Sequence, residues 1–234
     1  MKKFLIAFLI ISMLFCFGAC GEEQSNSDGV DVVYDADGNK IEETEEETTK
    51  NNVFEIVTVE TLKNASASDE HLFEVIEADG GVSIDRYIGD DSVVVIPETI
   101  NGKSVVSVER RAFMDNDNIK GVRLADSIKI IGDEAFNMCD NLEVFVCGSG
   151  LEEIGETCFF SCPKLTEIVL NDGLKTIKIS AIFAEECMPE IYVPASVVNM
   201  DGGISTYSDL TIICEKGSVA EQYAIEEGIN YEYK

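Results

Sequence analysis

The chain is short of positive charge, holds a single histidine and has no long hydrophobic run beyond its first twenty residues. Each shortage closes off a class of function. Seventeen Lys and Arg against 45 Asp and Glu leave a formal charge of −28. Nucleic-acid binding needs a basic stripe for the phosphates, and docking on anionic lipid needs a polybasic patch. Neither is present. With His71 the only imidazole, a Cys–His nucleophile or a His-containing zinc site has almost nothing to be built from. No Cys-x-x-Cys pair occurs, and carboxylate pairs on so acidic a chain carry no information by themselves. No catalytic residue, metal site or cofactor is expected. A spanning helix takes ~20 apolar residues, and nothing downstream of residue 20 meets that.

What is present starts with a targeting segment. Lys2 and Lys3 precede an apolar stretch over residues 4–17, the layout of an export signal and not of a membrane span. Phe17-Gly18-Ala19-Cys20 resembles a bacterial lipobox, with Phe17 where Leu is commoner. The resemblance implies cleavage after residue 19 and lipid on Cys20, whose two acyl chains suffice for stable anchoring. An ordinary secretory signal is the alternative. Residues 21–70 then carry 15 Asp and Glu against three Lys. The segment 20–70 therefore reads as a disordered acidic tether, kept extended by its own charge. Residues 53–62 within it are rich in β-branched side chains and read as a weak strand. Asp35-Ala36-Asp37-Gly38-Asn39 resembles the opening of an EF-hand loop, but Lys40 stands where that loop needs Gly, so a turn in the tether is the better reading.

A 23-residue period organises the rest. Val108, Ile131, Ile154, Ile177 and Met200 are one period apart. So are Phe113, Phe136, Phe159 and Ile182; Leu124, Cys147, Leu170 and Val193; Ile119, Leu142, Leu165 and Met188; and Ile128, Leu151, Leu174 and Val197. One such unit cannot bury its own apolar residues, so successive coils must stack. Residues 142–147 read as a first strand, 151–154 as a second, and 156–162 as a short helical or 3-10 turn, with Gly150 and Gly155 at the corners. Residues 71–93 read as an N-terminal hairpin cap turning at Asp79-Gly80-Gly81, residues 94–211 as the repeats, and 212–234 as a C-terminal cap. In that last unit Ser218-Val219-Ala220-Glu221 is a capping box and Gly228 a helix stop, followed by an edge strand.

Several motifs carry a family resemblance. Ile96-Pro97, Ile131-Gly132 with Ala135-Phe136-Asn137-Met138-Cys139, Ile154-Gly155 with Cys158-Phe159-Phe160-Ser161-Cys162, and Cys214-Glu215-Lys216-Gly217-Ser218 resemble the BspA-type leucine-rich repeats of bacterial surface proteins. The resemblance implies a β-rich leucine-rich-repeat solenoid of parallel strands, displayed at the cell surface for protein contact or adhesion, with no catalytic residue to carry over. Lys178 for Gly, Ile182 for Phe and Gly202-Gly203 depart from the pattern, so the late coils should pack less regularly. Cys139, Cys147, Cys158, Cys162, Cys187 and Cys214 read as small buried residues. A Cys139–Cys162 disulfide between adjacent coils is also sterically open.

Outward-facing strand positions supply the candidate site. Arg123, Val146, Val169 and Tyr192 form one column, flanked by Gly121, Val144, Glu167 and Glu190. Tyr and Arg favour binding hot spots; the competing reading is that β-branched residues simply suit strands. The expectation is a monomeric, lipid-anchored, extracytoplasmic module with a protein ligand, no nucleic-acid partner, and membrane contact only through Cys20. A structural, envelope-associated accessory protein contacting through cap or tether is the alternative, and an exported enzyme ranks last.

Overall fold

Residues that recur every 23 positions are buried only if the chain returns to the same place once per period. In the computed structural model of this chain it does. The structure describes residues 57–184, 188–200, 202–206 and 209–234. The signal segment, Cys20, the EF-hand-like stretch, the glutamate run and Cys187 lie outside the described residues.

In chain order the elements are α1 (Val59–Asn64), a 3-10 turn (Glu70–Leu72), β1 (Phe73–Ala78), β2 (Gly81–Tyr87), β3 (Val93–Val95), β4 (Thr99–Ile100), β5 (Lys103–Val108), β6 (Gly121–Arg123), β7 (Ile130–Ile131) and β8 (Val144–Val146). There follow β9 (Glu153–Ile154), β10 (Glu167–Val169), β11 (Thr176–Ile177), β12 (Ile182–Ala184), β13 (Glu190–Tyr192), β14 (Ile204–Thr206), β15 (Thr211–Cys214), α2 (Val219–Glu227) and β16 (Asn230–Tyr233). The coils stack as a solenoid of parallel strands. One side is the sheet β3-β6-β8-β10; a second is β2-β5-β7-β9-β11, with β1 antiparallel on β2 at its edge. Registers advance by the sequence period: Val122 pairs with Phe145, Phe145 with Ile168, and Ile131 with Ile154.

All five apolar columns are buried along their whole length. The aromatic column is continuous: Phe113 and Phe136 stack with centroids 4.6 Å apart, Phe136 and Phe159 at 5.7 Å, and Tyr87 extends the pile at 5.2 Å from Phe113. Phe145 comes in edge-on against Phe136 and Phe159 at 4.9 and 4.7 Å, the geometry that ring quadrupoles favour.

The third side is made of single turns closed by bonds three residues apart, such as Asn137 N–H to Glu134 O at 3.2 Å. Alternate amides donate to the next coil: Phe113 to Ala135 O, Phe136 to Cys158 O and Phe159 to Ala181 O. The backbone accommodates this with positive φ at a repeated place, Arg111, Glu134, Thr157 and Ser180. The glycine of each Ile-Gly pair has another cause. A Cβ on Gly155 would lie 2.5 Å from the Asp133 amide nitrogen, so the coils approach too closely for a side chain. In the next coil Lys178 takes this place and its ammonium reaches Glu153 at 2.8 Å. Charges also alternate along the stack, Lys129, Glu152 and Lys175 being one period apart, with Glu152 4.0 Å from one ammonium and 2.5 Å from the other.

The caps add three findings. The β1–β2 hairpin turns through Gly80 at φ 84°, but β2 also pairs in parallel with β5, so the hairpin is already the first rung of the second side. At the other end Ser218 Oγ accepts from Glu221 N–H at 3.2 Å, and Gly228 closes α2 in the left-handed region. The Glu221 carboxylate, however, takes the Gly217 amide and not that of Ser218, whose N–H is already given to Glu215 O. Beyond β11 the sheets break up: β12 pairs with β14, and β13 with β15 and then β16, in separate ladders.

Within the described residues from 57 to 70, the expectation of a disordered tether with a weak strand is corrected; its earlier part, residues 20–56, lies outside the described residues. Thr58 N-caps α1, its Oγ1 accepting from Thr61 N–H at 3.1 Å while Thr61 Oγ1 accepts from Thr58 N–H at 2.8 Å. This reciprocal cap sets a short helix, and burial of Leu62 holds it against the solenoid. Tertiary contact here outweighs the β preference of the Val and Thr residues.

Candidate protein-binding face

The outward column stands in the expected register, Gly121–Val144–Glu167 and Arg123–Val146–Val169 facing one another coil to coil. It is not open along its length. Val57 and Leu62 pack on Val144 and Val146 as a small second core, with Val59, Val93 and Val169 at its margin. Val146 is only 6% exposed. Gly121 makes room for this cover, since a Cβ there would sit 2.5 Å from Val57 Cγ1. Arg123 is committed as well: its guanidinium donates to Leu62 O at 2.9 Å and Ala65 O at 3.2 Å, holding the C-terminal end of α1. Arg123 and Val146 are therefore positions that seat α1, not free binding positions. Ser68 completes the cover by bonding both polar groups of Val95 on the edge strand β3, at 2.9 and 3.1 Å, which protects an edge that would otherwise invite pairing.

The face stays open farther along. Glu167 and Glu190 are exposed, and Val169 and Tyr192 are half-buried. Residues 166–170 and 189–192 line a groove of about 700 Å³. Here the ladder between coils is interrupted. Glu143 N–H donates to Lys120 O at 2.8 Å, and Thr166 N–H to Glu143 O at 2.9 Å. The next residue in that register is Pro189, which has no N–H. On the other flank Leu124 N–H reaches Val146 O and Cys147 N–H reaches Val169 O, both at 3.0 Å, with no matching bond from Leu170 to Tyr192. The sheet ends at β10, and on this side stacking bonds resume with Thr211 N–H to Pro189 O at 3.0 Å and Val193 N–H to Ile213 O at 2.9 Å, while on the second side Val198 N–H still reaches Lys175 O at 2.9 Å. Over the Tyr192 ring lies the Lys234 ammonium, 3.9 Å from the centroid.

Sequence reasoning placed Val169, Tyr192, Glu167 and Glu190 together and missed Val57, Leu62 and Pro189. Pro189 was visible as the one proline in the Lys120–Glu143–Thr166 register.

Among the described residues the thiols form no reactive centre. Cys139 and Cys162 are not bonded to each other: Cys139 Sγ donates to Phe113 O at 3.3 Å and Cys162 Sγ to Phe136 O at 3.2 Å, the same contact one coil later. Burial pushes the Cys139 thiol up to about 12 and raises those of Cys147 and Cys158 too; a nucleophilic thiol needs the opposite shift. Among the described residues no group of three His, Cys, Asp or Glu is placed to hold a metal ion, and no helix is long and apolar enough to cross a membrane.

Comparison with solved structures gives a leucine-rich repeat protein of T. pallidum, 27% identical, over 63% of this chain and 71% of that one, with a TM-score of 0.56. A leucine-rich repeat protein from Bacteroides ovatus is 20% identical over 60% of this chain and 45% of its own (TM-score 0.45). The pneumococcal vaccine antigen PcpA is 19% identical over 62% and 48% (TM-score 0.43). No curated protein sequence matches the chain. The family description "BspA type leucine rich repeat region" matches residues 94–211 in six copies. With half its length in these copies, and their coils stacked as the columns require, the chain belongs to the BspA-type leucine-rich repeat family.

Proposed function

We propose that this is an exported, lipid-anchored recognition protein that contacts a protein ligand through the open part of its strand face, Glu167, Val169, Glu190 and Tyr192. The observation that carries the reading is the groove between β10 and β13: α1 covers the face beside it, yet this stretch, with an apolar floor and an acidic rim, has no helix over it and only the Lys234 ammonium on the Tyr192 ring. Export and anchoring rest on the residue 4–17 signal and on Gly18-Ala19-Cys20, with the acidic segment as a spacer between lipid and solenoid. Surface display also agrees with membership of a family described from bacterial surface proteins.

Two measurements test this. Val169→Asp and Tyr192→Asp, each folded by its melting curve, should abolish capture of the partner protein from envelope or host extracts, whereas Ile225→Asp, on an exposed face of α2, should not. Wild-type protein should fractionate with membranes and Cys20→Ser should not. Unchanged capture by both strand-face variants would remove the groove from consideration, and membrane association of Cys20→Ser would remove the lipid anchor.

A further inference from the structure

We infer that the cavity at the late end of the third side is a saccharide-binding site, taking a neutral pyranose of a glycan chain. It is separate from the strand face and does not depend on the contact proposed there. The cavity, of about 660 Å³, lies between β14 and the C-terminal end of α2, a size ordinary for a small-ligand pocket. Three observations converge on a sugar. First, aromatic rings are left at the surface here. Met114, Asn137, Phe160 and Phe183 share one register, and only its last two members are aromatic. Phe160 is exposed and Phe183 half-buried, while every other described phenylalanine is buried. Both rings line the cavity, their centroids 5.1 Å apart and their planes 51° from parallel, so neither covers the other as a stacked ring would. A pyranose presents an array of polarised C–H bonds, which suits the negative face of an aromatic ring.

Second, the polar groups beside these rings are hydroxyls, carboxylates and an amide. Ser180 and Ser205 stand with their Oγ atoms 3.2 Å apart, and Asp209, Glu227 and Asn230 line the same cavity. Among the described residues Asp209, Glu227 and Asn230 take part in no ion pair and no side-chain hydrogen bond. No Lys, Arg or His is among the lining residues, which leaves an anionic ligand without a counter-charge. Neighbouring sugar hydroxyls both donate and accept, and this set of side chains answers both needs. Third, the floor is fixed in advance. The buried Tyr223 hydroxyl accepts from Ile204 N–H at 3.2 Å and donates to Ile204 O at 2.5 Å, taking the place of a following coil. Gly202, at φ 62°, lines the cavity without a side chain where the preceding coil carries Ile179. A wall already in place costs little to order on binding.

The test is titration of the full chain, followed by amide resonances, with three neutral oligosaccharides: N-acetylglucosamine trimer, of the bacterial-wall type; maltotriose, a plain glucose chain; and N-acetyllactosamine, of the host-surface type. At least one should give saturable shifts in residues 180–184, 202–206 and 227–230, and the preference among them separates an envelope glycan from a host glycan. Sialylated N-acetyllactosamine should bind more weakly than the neutral form. Phe160→Ala should weaken the preferred sugar about ten-fold, equivalent to ~1.4 kcal/mol, with little change in melting temperature because the ring is exposed. Asp209→Ala with Glu227→Ala should weaken it as well, whereas Ile225→Asp and Val169→Asp should not. Silence of all three sugars, undiminished affinity in Phe160→Ala, equal shifts with n-butylammonium, or shifts confined to other surfaces would overturn the inference. Failure here leaves the strand-face reading standing, since partner capture by Val169→Asp is measured separately.

Discussion

Phe136 is the residue on which the stacking argument can be tested most sharply. Its ring is fully buried, with Phe113 at 4.6 Å and Phe159 at 5.7 Å as parallel neighbours and Phe145 edge-on at 4.9 Å. Phe136→Ala removes the side chain from the middle of a column whose backbone is fixed on both sides by coil-to-coil bonds, so the cavity has little freedom to collapse. Phe-to-Ala changes of this kind cost ~3–5 kcal/mol. Three ring contacts, each of ~0.5–1.5 kcal/mol beyond area burial, place this one toward the upper end. For a domain of this size each kcal/mol lowers the melting temperature by ~2–4 °C, so a drop of about 8–20 °C is expected. Phe160 is the internal control: one residue beyond the column, it is 41% exposed and meets Phe183 at a tilt, centroids 5.1 Å apart. Phe160→Ala should cost under ~1 kcal/mol, near the range of ordinary surface changes. Thermal melts and urea titrations of both variants decide the matter. A Phe136→Ala melt within ~3 °C of the wild type, or equal losses for the two variants, would refute an interior column at this register.

Further outcomes follow from the same geometry. Cys139, Cys147 and Cys158 stay protonated in the fold above the ordinary thiol value of 9.0 because burial raises all three, while the unfolded chain releases those protons. Stability is therefore full below pH 9 and falls as pH rises toward 12, approaching about 4 kcal/mol per pH unit for three thiols; a flat urea midpoint between pH 8 and 11 would contradict it. Gly155→Ala should cost ~1–3 kcal/mol through overpacking against Asp133 and Gly132, read by urea midpoint, whereas Lys178→Gly in the same register should not show that clash relief or penalty. Leu62→Asp should free α1, speeding hydrogen exchange over residues 58–66 and protease cleavage there while the main transition of the solenoid stays in place; unchanged exchange would show that Leu62 does not hold the segment.

How much of this was legible depends on whether a residue's environment is repeated. Ile131, Ile154 and Ile177 meet one another at successive coils, so one physical requirement was written several times and the period exposed it. Ser218 and Gly228 were readable for a different reason, because a helix end is a local problem solved by adjacent residues. The seating of α1 is neither repeated nor local. Its two buried contacts, Val57 and Leu62, meet strands 60 to 90 residues later in the chain, and a six-residue helix carries too little pattern to show a face. The β-branched composition of residues 53–62 argued for a strand, and the Thr58–Thr61 cap together with burial of Leu62 decided the outcome.

Gly121 and Pro189 show where the repeat logic gives way to function. Both sit in registers occupied otherwise by residues with side chains and amides, Gly121 beside Val144 and Glu167, Pro189 after Glu143 and Thr166. The first removes a Cβ so that α1 can lie on the early coils; the second removes a donor and ends the first-side sheet at β10, while the coils stay bonded on the second side at Val198 N–H to Lys175 O. A perfect solenoid would offer one uniform strip along its strand side, with nothing to prefer one position over another. Two departures from the period divide that strip into a covered part and an open, acidic part. The columns account for why the protein folds, and these two exceptions account for where on its surface a partner can be received.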